Sequence, residues 1–455
     1  MFRCILAGVV ALAATLACAG PGRAAQTGIN ETIGQTVSTV DKAPALGADW
    51  VRVWALWQDL EPAPGHYTAH LVGALNQKID AIKARGVKVL VVVHRAPQWS
   101  AGGGGIAAPD PAPFARFMGG LAQRVPGADA WELWNEPDSG AFWAGAPQPA
   151  AYAALVRAAY PAIKAAQPDD TVVLGGLVGN NMDFLEQLYA HGAQGSFDAV
   201  AVHTDTACLT NGPDVFYRDE RGRIGRYTFS AYREVHAVMR DHGDGAKPIW
   251  MTEIGWNTQS VRRGSCNVGM WAGQKRLGVS RKRQARFLRA AYRCLAADPF
   301  VGVAFWFGIQ DIPRIYTGHA RGFGLYGLSG KPKPAARAFR RLNRGVRPRR
   351  GCGGQVDRTP PTIRVLSPRD AHRFRDKLSV RVRAADNRGG SGIGRIMLAL
   401  DGQHVRSWGG SGGSIAPWWG SADWRPGVHT LTFRVRDHAQ NEARVDVRVE
   451  KLRGG

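Results

Sequence analysis

The segment Gly86–His94 constrains the fold most, because its residues from Val89 to Val93 form an unbroken apolar run. Such a run is typical of a parallel strand that is buried on both faces. Seven further segments have the character of short buried strands, and segments with helical periodicity follow them. The strand segments are Gln26–Asn30, Asp49–Trp54, Trp131–Trp134, Val172–Gly176, Phe197–His203, Lys247–Trp256 and Val301–Phe307. Eight strands that alternate with helices predict an α/β fold, the (β/α)8 TIM barrel.

The C-terminal part of the chain has a different pattern. The chain has 455 residues, whereas a TIM barrel takes about 250. From Asp357 onward, short runs that alternate between apolar and polar residues are separated by Gly and Asp turns. This pattern predicts a small β-sandwich. We therefore divide the chain into a signal peptide (1–25), a barrel domain (26–345), a basic linker (346–356) and a β-sandwich domain (357–455). Trp408, Trp418, Trp419 and Trp424 either line a sugar-stacking face or fill the sandwich core, and we expect the core for at least two of them.

The N-terminal segment is typical of a secretory signal peptide. Arg3 precedes an apolar run from Ile5 to Ala17, and small residues follow it. The run is shorter than the ~20 apolar residues of a membrane-spanning helix, so we expect secretion or association with the cell envelope, without stable membrane insertion. An alternative is a lipoprotein that is anchored through Cys18.

The net charge of +23 comes mostly from arginine. A nucleic-acid-binding protein would combine such charge with a recognisable motif, and none is present, so we expect no nucleic-acid partner. An anionic polymer of the cell envelope or an acidic polysaccharide fits an exported basic protein better. The alternative is a general preference for arginine codons. The helix predicted at Ser280–Ala297 has a basic outer face, which we interpret as solvated.

Two glutamates stand where predicted strands end. Glu136 follows the strand Trp131–Trp134 and precedes Pro137, and Glu253 follows the apolar residues Ile249, Trp250 and Met251. In a TIM barrel, the carboxyl ends of the strands form the catalytic rim. Two carboxylates that are flanked by tryptophans are what glycoside hydrolysis needs, since one acts as an acid and the other as a nucleophile beside apolar sugar faces.

The segments around these glutamates resemble a known enzyme group. Trp134-Asn135-Glu136-Pro137-Asp138 resembles the acid/base segment of the clan A retaining glycosidases, and glycoside hydrolase family 39 is the most similar. Thr252-Glu253-Ile254-Gly255-Trp256 resembles the nucleophile strand of that clan, and the C-terminal domain resembles bacterial Ig-like modules. The resemblance implies that Glu136 is the general acid and base, that Glu253 is the nucleophile, and that no metal or other cofactor takes part. We expect the negative charge of Glu253 and partial burial among tryptophans to weaken the acidity of Glu136.

Seven further residues are candidates for substrate binding. The resemblance implies that Arg52 restrains the nucleophile, that Asn135 binds a sugar hydroxyl, that His203 lies near both carboxylates and that Trp306 forms the floor under the sugar. His94, Trp99 and Trp256 follow strand ends and could contact sugar. For Arg52 the alternative is a surface ion pair, for His94 and His203 an ordinary rim histidine, and for Trp306 an ordinary core aromatic residue. The chain has Asp205 where the clan often has a tyrosine that touches the nucleophile.

Four cysteines remain beyond the signal peptide, and in an exported chain they suggest two disulfides. In the predicted barrel, Cys208 and Cys266 lie on the catalytic rim, whereas Cys294 and Cys352 lie at the opposite end. We therefore expect the pairs Cys208–Cys266 and Cys294–Cys352, with free buried thiols as the alternative.

The sequence therefore predicts a secreted retaining glycoside hydrolase that cleaves O-glycosidic bonds of a polysaccharide or oligosaccharide by double displacement. The alternative is a non-catalytic protein on the same scaffold that binds carbohydrate or attaches to the cell envelope. The residues do not specify the sugar, the linkage or the choice between endo and exo action.

Overall fold

The structure is a computed structural model of the 455-residue chain. It describes residues 25–32, 35–100, 103–145, 148–204, 212–259, 278–313, 321–345, 356–388, 390, 392–409, 424–437, 439 and 441–453, and only the backbone of 414–415 and 418–420. The predicted signal peptide, nearly all of the basic linker, Asp205 and three cysteines (Cys208, Cys266 and Cys352) lie outside the described residues.

Eight parallel strands close into a barrel, as the sequence predicted. Each strand pairs with its neighbour in chain order, and the last strand pairs with the first. The strands are β1 (Gln26–Asn30), β2 (Trp50–Leu56), β3 (Lys88–His94), β4 (Ala130–Leu133), β5 (Thr171–Val178), β6 (Ala199–His203), β7 (Ile249–Ile254) and β8 (Val301–Trp306).

Helices cover the outside of the barrel, because each has an apolar stripe that packs on the strands. In the helix Arg281–Leu295, for example, Leu288, Ala291 and Leu295 are buried at helical spacing, and the Ser280 side chain caps the N-terminus. The helices are α1 (Thr39–Ala45), α2 (Trp57–Leu60), α3 (Ala69–Lys83), α4 (Pro111–Arg124), α5 (Pro149–Ala166), α6 (Met182–Ala190), α7 (Tyr232–Asp241), α8 (Arg281–Leu295) and α9 (Pro334–Leu342).

The inside of the barrel changes from apolar to polar toward the carboxyl ends of the strands. Trp50, Ala130 and Trp250 belong to a buried apolar cluster, and the rings of Trp50 and Trp250 are 5.0 Å apart. Side chains two residues apart on a strand point to the same face. Arg52 and Glu132 therefore lie one layer above the apolar cluster, and both are fully buried.

The C-terminal strands form a five-stranded, a three-stranded and a two-stranded sheet, which together have the arrangement of a β-sandwich. Trp424 is part of its buried core and Trp408 packs against that core, which confirms the core position expected for two of the tryptophans. The strands are β9 (Thr362–Ser367), β10 (His372–Phe374), β11 (Lys377–Ser379), β12 (Arg381–Ala385), β13 (Ile393–Leu400), β14 (Gln403–Gly409), β15 (Ser414–Ile415), β16 (Trp418–Gly420), β17 (Gly427–Asp437) and β18 (Glu442–Lys451).

Polar contacts join the two parts of the chain. The Arg358 guanidinium lies 2.6 Å from the carboxylate of Glu234 on α7. Arg218, in the loop between β6 and α7, donates to the carbonyl oxygens of Asp357 and Ala439. Among the residues that the structure describes, no helix has the length and apolar character that a membrane crossing requires.

Candidate active site

The backbone after β4 turns sharply and presents Glu136 at the rim of the barrel. Trp134 and Glu136 both adopt left-handed conformations, with φ values of 71° and 46°. Such conformations are costly for residues with a side chain, and they persist where the surroundings fix them. The Tyr152 hydroxyl donates to the Leu133 carbonyl at 2.6 Å and accepts from the Gly175 N–H at 2.7 Å, which fixes the end of β4 against β5.

Glu253 lies near the end of β7, and 5% of its surface is exposed. Its Oε1 accepts a hydrogen bond of 2.9 Å from Nη1 of Arg52. The amide of Asn30, at the end of β1, donates to the preceding carbonyl of Thr252 at 2.7 Å. The interaction between Arg52 and the nucleophile candidate, which the resemblance implied, is therefore present.

Arg52 is the centre of a buried polar network. Its guanidinium donates from Nε to Oε2 of Glu132 at 2.6 Å and from Nη2 to Oε1 of Glu132 at 3.2 Å. It also donates to the Oδ1 atoms of Asn30 and Asn135. A buried cation is stable only when it is paired and hydrogen-bonded, and this network satisfies that requirement.

Sequence reasoning missed the role of Glu132. Besides binding Arg52, its Oε1 accepts from the Gly176 N–H at 3.0 Å and from the Thr252 hydroxyl at 3.3 Å. The signal that could have found it is the presence of one arginine and one glutamate in two strands that are otherwise apolar. Two opposite charges that are buried in the same layer of a barrel are expected to pair.

His203 connects the two rim carboxylates. Its Nδ1 lies 2.9 Å from Oε1 of Glu136 and 3.6 Å from Oε2 of Glu253. Gly176 makes room for the ring, because a Cβ at that position would lie 2.0 Å from Nε2 of His203. Burial lowers the pKa of His203, which favours a neutral imidazole.

One oxygen of Glu136, one oxygen of Glu253 and one ring nitrogen of His203 all lie within 4.8 Å of one another. These three atoms could also surround a cation, which would favour an ionised Glu136. A second acidic group lies in the C-terminal part and consists of Asp357, Asp386 and Asp437. The carboxylate oxygens of Asp437 accept hydrogen bonds from the backbone N–H and the side-chain amide of Asn441.

The pKa of Glu136 is raised to about 8, mainly by burial and next by the negative charge of Asp138. Glu132 acts in the same direction, and Arg52 opposes it. We expected the charge of Glu253 and partial burial to weaken the acidity of Glu136. Burial does so, but the neighbouring charge that contributes most is that of Asp138, which the sequence analysis left without a role.

The remaining candidate residues lie around this centre. His94 ends β3 and is packed edge-on against Trp54 at 5.2 Å, and burial lowers its pKa to about 3. Trp99 is partly buried and donates to the carbonyl of Glu61 at 3.1 Å. Trp256 and Trp306 are fully buried and lie 6.2 Å apart. In the structure these two tryptophans are packing residues, and their contact with sugar stays a prediction.

Cys294, on α8, is disulfide-bonded. The other three cysteines of the two predicted disulfides lie outside the described residues, so both pairings stay predictions.

Comparisons with known proteins find similarity to glycoside hydrolases. The model of the cellulase family, glycosyl hydrolase family 5, matches residues 20–204. No curated protein sequence matches the chain. Among solved structures, a family 39 glycoside hydrolase from the gut symbiont Bacteroides cellulosilyticus is similar, with 18% identity and a TM-score of 0.54 over 86% of this chain and 78% of that one.

A GH5_18 from Streptomyces cattleya in complex with GlcNAc has 19% identity and a TM-score of 0.54, over 72% of this chain and 83% of that one. A GH5_18 variant from Bifidobacterium longum in complex with Manβ1-4GlcNAc has 16% identity and a TM-score of 0.52, over 71% of this chain and 80% of that one. The predicted resemblance to clan A glycoside hydrolases is confirmed, and the N-terminal domain is a TIM barrel like those of glycoside hydrolase families 5 and 39.

Proposed function

We propose that this chain is a secreted retaining glycoside hydrolase, with Glu136 as general acid and base and Glu253 as nucleophile. The observation that carries the proposal is that these two carboxylates, from the ends of β4 and β7, converge at the rim with oxygens within 4.8 Å of each other. Retaining enzymes hold their carboxyl groups about 5–5.5 Å apart, whereas inverting enzymes need about 6.5–9.5 Å to admit a water molecule.

In the first step, the carboxylate of Glu253 attacks the anomeric carbon while the bond from that carbon to the leaving oxygen breaks. Glu136 transfers its proton to the leaving oxygen. The surroundings of the two groups support this division, because Arg52 stabilises an ionised Glu253 at 2.9 Å, and burial keeps Glu136 protonated at neutral pH. The products of this step are a glycosyl ester on Glu253 and the released alcohol.

In the second step, Glu136 is ionised and takes a proton from a water molecule. The remaining hydroxide attacks the anomeric carbon, the ester bond to Glu253 breaks, and the sugar leaves with its original configuration. His203 contacts both carboxylates, so its Nδ1–H can donate to the one that carries negative charge at each stage. Asn135 already accepts from Arg52 through Oδ1, which leaves its amide N–H groups to donate to a sugar hydroxyl.

The proposal is tested by incubating the purified protein with a panel of glycans and following the anomeric configuration of the products by NMR. The panel includes Manβ1-4GlcNAc, because GH5_18 structures were solved with that disaccharide, together with neutral and uronate-containing polysaccharides. We expect a product with retained configuration. Inverted configuration would refute the double displacement, and a complete lack of sugar release would favour the non-catalytic alternative.

Two variants assign the roles of the carboxylates. Glu253→Ala should abolish release from every substrate, and an activated 2-deoxy-2-fluoro glycoside should label Glu253 in the unmodified protein. Glu136→Gln should lose hydrolysis of natural glycosides but keep formation of the ester from aryl glycosides, whose leaving groups need no proton. Glu220→Gln is the matched control, because Glu220 is exposed and lies in the loop between β6 and α7. Secretion is tested separately by N-terminal sequencing of the mature protein.

A further inference from the structure

Helices α8 and α9 form a strongly basic surface on the outside of the barrel. Six of the 15 residues of α8 and three of the nine residues of α9 are Lys or Arg, and neither helix contains Asp or Glu. These side chains are exposed. They are Arg281, Lys282, Arg283, Arg286, Arg289, Arg293, Arg337, Arg340 and Arg341. In the whole chain, by comparison, 59 of 455 residues are Lys or Arg, so these two helices are much richer in cations than the chain on average.

The basic surface lacks the ion pairs that neutralise cations elsewhere on the barrel. Arg85, Lys83 and Arg221 each lie within 3.2 Å of an aspartate oxygen. None of the nine cations of α8 and α9 makes such a pair with any residue in the described part of the chain. Mutual repulsion of unpaired like charges destabilises a folded domain, so this surface has an electrostatic cost that an anionic ligand would remove.

The beginning of α8 adds to this cost. Arg281, Lys282 and Arg283 occupy its first turn, which contains no acidic residue. The N-terminus of a helix carries partial positive charge, so cations there are unfavourable and anions are favourable. A bound anion would therefore interact favourably with the side chains and with the end of the helix.

Between the two helices lies a groove of about 260 Å³. Its floor consists of two alanines and a proline, and its walls carry four cationic side chains: Lys282 and Arg289 from α8, and Arg337 and Arg341 from α9. Three of the four are arginines, whose planar guanidinium groups match carboxylates with two parallel hydrogen bonds. The groove thus places cations on both sides of a narrow floor, as a chain with regularly spaced negative charges requires.

We propose that the α8–α9 groove binds a polysaccharide whose sugars carry carboxylate groups. The choice of a polysaccharide rests on the proposed function, because a glycosidase gains from a surface that holds its barrel on a glycan. The described residues of α8 and α9 include no exposed large hydrophobic side chain, which a membrane-binding surface would need. The groove also presents no aromatic platform of the kind that holds single-stranded nucleic acid.

Binding is measured by fluorescence anisotropy with a labelled oligogalacturonate, at about 50 mM and about 300 mM NaCl. The test variant is Lys282→Gln, Arg289→Gln, Arg337→Gln and Arg341→Gln combined. The matched control combines Arg364→Gln, Arg369→Gln, Arg381→Gln and Arg383→Gln, which changes the net charge equally at exposed positions of the C-terminal domain. Neither variant touches the candidate active site, so binding is measured whether or not the protein hydrolyses any glycan.

We expect the groove variant to bind about tenfold more weakly or worse at low salt, because four modest ion pairs are lost together, and the control to bind as the unmodified protein does. A second groove variant, Arg289→Lys combined with Arg337→Lys and Arg341→Lys, keeps the charge but not the paired hydrogen bonds. It should therefore bind more tightly than the Gln variant and more weakly than the unmodified protein, which would also show that the helices are folded. Equal weakening in both Gln variants would mean that net charge alone acts, and would overturn the proposal. Absence of binding, or stronger binding of DNA, polyphosphate or anionic vesicles, would also overturn it.

Discussion

The carboxyl group of Glu136 should make the folded barrel less stable as the pH rises, and Glu136→Gln should remove this loss. The pKa of Glu136 is raised from an ordinary 4.5 to about 8, and burial is the main cause. Between these two pH values the folded protein keeps a proton that the unfolded chain has lost. Stability therefore falls with increasing pH by about 1.4 kcal/mol per pH unit, which amounts to about 3 kcal/mol at pH 7 and about 5 kcal/mol above pH 8.

The assay is urea unfolding followed by tryptophan fluorescence at pH 4.5, 6, 7 and 8.5, for the unmodified protein and for Glu136→Gln. Glutamine keeps the size of the side chain and carries no charge at any pH. The stability of the variant relative to the unmodified protein should therefore grow with pH and level off above pH 8. Glu220→Gln is the control, because Glu220 is exposed. The difference in unfolding free energy between this control and the unmodified protein should not grow with pH in this way.

If the difference in unfolding free energy between Glu136→Gln and the unmodified protein were constant across the pH range, the reasoning would be refuted. Glu136 would then have the same pKa in the folded and unfolded states. A difference that shrinks with rising pH would be a stronger refutation. It would indicate that the folded site stabilises the ionised carboxylate, in which case Glu136 could not supply a proton at neutral pH.

Three further outcomes are expected from the structure. Glu132→Gln removes a negative charge that raises the pKa of Glu136, so the alkaline limb of the pH–rate profile should move to lower pH; an unmoved limb would contradict the role of Glu132. Gly176→Ala places a Cβ 2.0 Å from Nε2 of His203, so kcat should fall by about tenfold or more, and unchanged kinetics would show that the ring is not confined. In the structure, Nζ of Lys333 lies 2.9 Å from the carboxylate of the buried Asp311. Lys333→Met leaves this carboxylate without its cation. The unfolding free energy should then drop by about 3–5 kcal/mol, which thermal or urea unfolding would detect.

The barrel could be predicted from the sequence because its strands are buried on both faces. The apolar run that ends before His94 is typical of a strand in the middle of a parallel sheet. The rim positions of Glu136 and Glu253 could be predicted for the same reason, since a carboxylate at the carboxyl end of a buried strand, or directly after it, lies at the rim. In β14 (Gln403–Gly409), by contrast, nearly every residue is exposed, so no alternation of apolar and polar residues marks this strand in the sequence.

The pKa values of the site could not be predicted, because they depend on distances between strands that are far apart in sequence. Asp138 lies two residues after Glu136, but its effect requires that both carboxyls be removed from water. Its own carboxylate is held by the Asn181 amide at 2.7 Å and the Val178 N–H at 3.1 Å. These contacts form only when β5 packs against β4, so they cannot be predicted from the segment Trp131–Asp138 alone.

The roles that we propose for the two rim carboxylates depend on the way in which Arg52 is shared. Its guanidinium binds both oxygens of Glu132 and one oxygen of Glu253, so a single buried cation already serves two carboxylates. Glu136 receives no hydrogen bond from Arg52 in the structure, and its neighbours Glu132 and Asp138 disfavour another negative charge. A proton is therefore held most tightly on Glu136, whereas Glu253 can remain ionised. If Arg52 bound Glu136 instead, the acid would lose its proton first, and the same two glutamates could not perform the reaction in this order.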